Sequence, residues 1–127
     1  MQIGQVFNPK KKFKCVCIPD QILLSNLSDS TKLIYGAILR FVNDDGYAYP
    51  KQKLIQKMLN LSEATVTRGI RELKKEKLIE IKNNNKSKNC NVYYFLWHNI
   101  YEISINLTDS YNPIPSNQIT EEQKTST

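Results

Sequence analysis

The 127-residue sequence predicts a mainly α-helical fold closed by one β-hairpin. Three observations predict it. Apolar residues recur at helical spacing in three successive segments, within residues 29–43, 50–59 and 62–75. The second and third segments are joined only by Asn60-Leu61-Ser62. Beyond them, two short runs rich in β-formers, Leu78 to Lys82 and Asn91 to Trp97, flank the polar loop Asn83 to Asn89.

Residues 1–12 carry no periodic pattern and read as a flexible N-terminus. Phe13 to Ile18 alternates and reads as a short strand, stopped by Pro19. Pro19-Asp20 opens a short helix through Leu24. Leu27-Ser28-Asp29-Ser30-Thr31 is rich in helix-capping side chains, and Leu27 is placed to staple the chain entry. Leu33, Ile34, Ala37, Ile38, Phe41 and Val42 then form an apolar stripe on a helix from about Asp29 to Asn43, which Asp44-Asp45-Gly46 ends.

Pro50 starts the next helix, since a first-turn residue needs no N–H. Leu54, Ile55, Met58 and Leu59 share its apolar face, and Asn60 suits the left-handed residue that closes it. Ser62 caps the following helix, with Glu63 favourable in its first turn. Val66, Ile70, Leu73 and Leu78 form the inward stripe. Leu54 and Met58 are expected to pack on Val66 and Ile70, fixing the angle between the helices. Gly69 costs about 1 kcal/mol of helix propensity, so it marks a close approach by a strand, a helix or an external backbone. Two helices joined by a tight turn and followed by a hairpin give the winged helix-turn-helix arrangement, spanning residues 13–97. Residues 98–107 read as an additional segment, either a short helix or an extended arm, suited to packing or dimerisation. Residues 108–127 turn to Ser, Thr, Asn, Pro and Glu and read as a disordered tail.

Charge is uneven along the chain. The net charge is +6, yet residues 50–90 alone carry eleven Lys/Arg against four Asp/Glu. A local excess of this kind is the footprint of a polyanion partner. On the second helix of the pair, Ser62, Ala64, Thr65 and Thr67 are short enough for close approach to base edges. Arg68 and Arg71 carry the planar fork that matches guanine, and Lys75 follows at the helix end. Lys51, Gln52 and Lys53 at the front of the preceding helix are placed for phosphates. Lys82, Lys86 and Lys88 line the hairpin.

Other chemistries find little support. Cys15, Cys17 and Cys90 make neither a disulfide framework nor a zinc site; Cys15 and Cys17 read as small apolar residues on one face of the strand, in a reducing compartment. His98 is the sole histidine. No catalytic set, metal-ligand pair or glycine-rich phosphate loop occurs, so the chain is expected to be no enzyme and to need no cofactor. No signal peptide or membrane span is visible, and the chain reads as cytoplasmic.

Three stretches carry a family resemblance. They are Tyr49-Pro50-Lys51-Gln52-Lys53-Leu54-Ile55, Leu61-Ser62-Glu63-Ala64-Thr65-Val66-Thr67-Arg68-Gly69-Ile70-Arg71-Glu72-Leu73, and Leu78-Ile79. Ile18-Pro19, Leu33 to Leu39 and Gly46 to Pro50 fit upstream. Together they resemble a winged-helix family of plasmid replication initiators, phage replisome organisers and mobile-element regulators. Departures occur at Lys51, where the pattern usually has Ser, and at Asn60 and Lys77, where it has Gly. The resemblance implies sequence-specific binding of double-stranded DNA, in replication initiation or transcription regulation, with a homodimer as one way to double the site. A protein-interaction module that binds a partner or itself is the alternative, because this fold serves both uses.

Overall fold

Ser28 and Ser62 start the two long helices. Each hydroxyl accepts a hydrogen bond from the backbone N–H three residues on, Thr31 at 3.4 Å and Thr65 at 3.2 Å. The resulting elements belong to a computed structural model that describes residues 1–83 and 91–105. Two compact units are present, Val16–Ser104 and Met1–Cys15 with Ile105. The expected loop residues Lys86 and Lys88, Cys90, and the tail over 108–127 lie outside the described residues.

Residues 1–15 hold one helical turn, α1 (Pro9–Lys12). Asn8 caps it by accepting from the Lys10 N–H at 3.0 Å. The sequence reading has no element here, because adjacent lysines break any apolar period. Phe7 and Phe13 meet edge to face with centroids 6.1 Å apart.

In Val16–Ser104 the order is α2 (Asp20–Leu23), α3 (Asp29–Leu39), β1 (Tyr47–Ala48), α4 (Gln52–Leu59), α5 (Glu63–Lys75), β2 (Ile79–Asn83), β3 (Asn91–Phe95) and a 3-10 turn, Asn99–Glu102. This is the expected mainly α fold with a β-hairpin. The sheet is antiparallel in the order β1-β3-β2, and the hairpin pairs Ile79 with Phe95 and Ile81 with Tyr93. Those residues, with Ala48 opposite Tyr93, face inward. Glu80, Tyr94 and Tyr47 align on the outer face. The core joins Ile22, Ile34, Ala37 and Ile38 to Ile55, Val66, Ile70 and Leu73, and to Leu78, Ile79 and Tyr93 beneath the sheet.

The crossing of α3 and α5 is the tightest joint. A Cβ at Gly69 would run into Ile34 Cδ1, so the close approach marked by this glycine is to a helix. One turn further, the Glu72 carboxylate accepts from the buried Thr31 hydroxyl at 3.0 Å and from the Ser28 N–H at 3.2 Å. The chain beyond β3 also folds back. His98 Nδ1 accepts from the Ile100 N–H at 2.9 Å, and the Tyr101 hydroxyl bonds to that of Tyr35. Burial raises both phenol pKa values.

Several sequence expectations need correction. No strand forms over Phe13–Ile18. β1 pairs on one side of β3 and β2 on the other, and Val16 and Ile18 are half-buried against α3 instead, while Phe13 is exposed. A Cβ at Gly36 would come within 2.5 Å of Val16 Cγ1 and 2.8 Å of Ile18 Cγ1. Cys15 and Cys17 are exposed free thiols rather than apolar filler. The first long helix ends at Leu39 and not Asn43, because Asn43 folds the turn: its side chain accepts from the Asp45 and Tyr47 N–H groups. Phe41, beyond the helix, is exposed, and Leu33 is exposed on the outward side of the helix itself. Pro50 precedes α4 by two residues, since Lys51 keeps extended backbone with ψ 146°. Ile55, not Leu54, is the buried residue of α4; Leu54 is exposed. β1 is a strand that the sequence reading lacks, being two residues long.

Both inter-element joints use left-handed residues, Asn60 at φ 55° and Lys77 at φ 60°. At Lys77 the Leu78 N–H reaches back to the Leu73 carbonyl at 3.0 Å, and both leucines are buried, which is the Schellman arrangement. Lysine thus occupies a conformation that costs an L-residue about 1 kcal/mol.

These joints set the expected response of stability to substitution. Helix propensity alone would make Gly69→Ala stabilising by about 1 kcal/mol, whereas forcing a methyl onto a packed isoleucine costs about 1–3 kcal/mol. A net loss of about 1 kcal/mol is expected in denaturant unfolding; a raised midpoint would show that Ile34 yields freely. Lys77→Gly is expected to gain about 0.5–1 kcal/mol by relieving the left-handed strain, against a loss for Lys77→Val. Equal midpoints for the unmodified chain and both Lys77 variants would contradict the strain assignment.

Candidate nucleic-acid interface

The burial of α5 divides its sequence into two faces. Val66, Gly69, Ile70 and Leu73 are turned inward. The opposite face exposes Glu63, Ala64, Arg68 and Arg71, with Thr67 half-buried at its margin. These five residues line one shallow, open depression. The spacing explains it: positions 63, 67 and 71 form one row of the helix surface and 64, 68 and 71 the adjacent row.

Ala64, Thr67, Arg68 and Arg71 are sequence-predicted site residues that the fold brings together. Glu63 joins them and was expected only as a first-turn charge; its four-residue spacing from Thr67 is the signal that locates it. Ser62 and Thr65 sit at the helix start, and their hydroxyls bond to one another at 2.9 Å. Their polar atoms are thus already engaged in the cap. Lys75 is exposed as the last residue of α5.

On α4, Lys51 is the exposed N-cap residue and makes no side-chain cap bond. Gln52 is half-buried and Lys53 exposed. On the wing, Lys82 is exposed on the outer sheet face, with its ammonium 5.1 Å from the centroid of the Tyr94 ring. Tyr94 in turn stacks at a tilt on Tyr47, 5.3 Å between centroids. The sequence reading does not single out these two tyrosines, because only the sheet register makes them neighbours.

Among the described residues no group of three or more His, Cys, Asp or Glu is placed to hold a metal ion. No helix among them is long and apolar enough to cross a membrane.

Comparison with known proteins agrees with this architecture. Residues 25–79 match a family described as a helix-turn-helix domain. A solved structure titled "N-Terminal domain of DNA binding protein" is 21% identical, with a TM-score of 0.53 over 88% of this chain and 99% of that one. Another, titled "Structure of Rep-DNA complex", is 22% identical, with a TM-score of 0.53 over 87% of this chain and 99% of that one. Sequence comparison with curated proteins gives no match. At these identities the structural likeness speaks to the fold. The paired helices α4 and α5 and the hairpin that follows them give the fold a winged helix-turn-helix arrangement, in keeping with the family match over residues 25–79.

Proposed function

We propose that the protein binds double-stranded DNA sequence-specifically, with α5 entering the major groove and the β2–β3 hairpin lying beside it as a wing. The observation that carries this reading is the two-faced α5. Its inward face is held in the core, and its outward face gathers Ala64, Thr67, Arg68 and Arg71 in one open depression. A helix docks in the major groove with small residues near its start and arginines reaching guanine. Lys51, Gln52 and Lys53 at the start of α4, Lys75 at the end of α5 and Lys82 on the wing add phosphate contacts. Lys86 and Lys88, which fall between β2 and β3 in the sequence, add two further positive charges. The similarity to structures titled as a DNA-binding protein and a Rep–DNA complex supports the same reading.

Within this reading the protein acts in replication initiation or transcription regulation, and pairs as a homodimer to double a short half-site. Selecting bound duplexes from a random pool defines the target. An inverted repeat together with a doubled mass in sedimentation supports the dimer, and a single half-site with monomer mass contradicts it.

If about six phosphates are neutralised, log affinity should fall against log salt with a slope near −5. Fluorescence anisotropy on labelled duplexes measures it. Binding that ignores salt, or no binding to any duplex in the selected pool, would sink the proposal. Arg68→Ala should weaken the selected site by about 1–3 kcal/mol while leaving random duplexes nearly unchanged. An equal loss on both would reassign Arg68 to the phosphate backbone.

A further inference from the structure

The helix-turn-helix reading leaves one strongly charged segment unused. Lys10, Lys11, Lys12 and Lys14 fall within residues 9–14, and no acidic residue occurs before Asp20. Every residue from Met1 to Cys15 is exposed. The Lys12 ammonium meets the Met1 thioether at 3.9 Å, a weak acceptor that leaves its charge for an outside anion.

We propose that residues 9–14 form a basic arm that contacts phosphates of the same DNA duplex, outside the positions met by the helix-turn-helix unit and without reading its sequence. The proposal rests on the DNA-binding reading above and extends the contact surface to a segment that reading does not use.

Three features support it. The first is charge complementarity: the arm and residues 50–90 carry excess charge of one sign, so a single polyanion attracts both. The second is tethering. Val16 and Ile18 are seated on α3 at Gly36, which anchors the chain immediately after the arm. The four lysines lie two to six residues ahead of Val16, a reach of about 7–20 Å for extended chain. That reach covers several phosphates at about 3.4 Å of axial rise each. The third is shape. Successive helical positions differ by about 100°, so Lys10, Lys11 and Lys12 project around the turn and not from one side. A flat anionic membrane needs a longer amphipathic helix with a continuous apolar face, and α1 is only four residues long. Lysine also suits the task as a flexible point charge, without the bidentate geometry that base reading uses.

The test titrates the full chain and a variant carrying Lys10→Gln, Lys11→Gln, Lys12→Gln and Lys14→Gln onto a preferred and a random-sequence duplex across a salt series. Each phosphate that the variant no longer neutralises should reduce the slope of log affinity against log salt by about 0.9, so a slope shallower by about 2–4 is expected. Affinity should fall by the same factor on both duplexes, leaving their ratio unchanged. A second variant with the same four lysines changed to Arg should keep the slope of the unmodified chain. An unchanged slope in the Gln variant overturns the arm while leaving the helix-turn-helix reading intact. A loss confined to the preferred duplex also overturns it, because the arm would then read bases. Loss of binding to phosphatidylserine vesicles with no change on DNA overturns it in favour of a membrane. If the unmodified chain binds no duplex, the arm falls together with the reading on which it rests.

Discussion

The crossing of α3 and α5 is the contact on which the other surfaces depend. Gly69 lets the two helices close until only a hydrogen fits between the α5 backbone and Ile34. Glu72, one turn along, ties α5 to the start of α3 through the Thr31 hydroxyl and the Ser28 N–H. A buried hydroxyl bonded to a carboxylate is a directional contact, whereas apolar packing alone leaves rotation about the helix axis softer. With positions 69, 72 and 73 committed to α3 and the core, positions 64, 68 and 71 must face away. The orientation of the outward face is therefore a consequence of inward packing.

That outward face is not uniformly basic. Glu63 stands beside Arg68 and Arg71 in the same depression. A carboxylate at a helix start is favourable to the macrodipole, repels phosphate and accepts from a cytosine amino group. In the proposed DNA-binding reading its presence favours selectivity over bulk affinity, and the lysines of α4, the wing and the arm would supply attraction that salt can screen. That reading gives base reading and phosphate attraction to separate residues. On the wing, the Lys82 ammonium over Tyr94, and Tyr94 against Tyr47, tie the outer sheet face together.

The two joints around α5 show how a helix pair tolerates absent glycines. Asn60 takes the left-handed conformation at modest cost because its short polar side chain suits that region. Lys77 has no such advantage. It is held there by the Leu78 N–H bond to Leu73 and by the burial of both leucines, which together exceed about 1 kcal/mol of local strain. The wing is positioned by this joint, since Ile79 begins β2 two residues later.

Local chemistry was legible in the residues themselves. Ser28 and Ser62 announced helix starts, Asn60 a left-handed stop, and Val66, Ile70 and Leu73 a buried stripe, because each signal depends on neighbours within one or two turns. From them the winged helix-turn-helix order and most of the α5 face could be read. Longer-range choices could not. Periodicity allows an apolar stripe on α4 containing both Leu54 and Ile55, but only the position of its neighbours buries Ile55 and exposes Leu54. Alternation allows a strand at Phe13–Ile18, but a strand exists only where an edge accepts it, and Val16 and Ile18 met the bare surface of Gly36 instead. The two-residue β1 and the grouping of Tyr47, Tyr94 and Lys82 exist only through pairing register. Sequence by itself determined where helices start, stop and carry apolar stripes. Tertiary structure decided which edge of each stripe is covered, because burial depends on the shape of a partner surface that is distant along the chain.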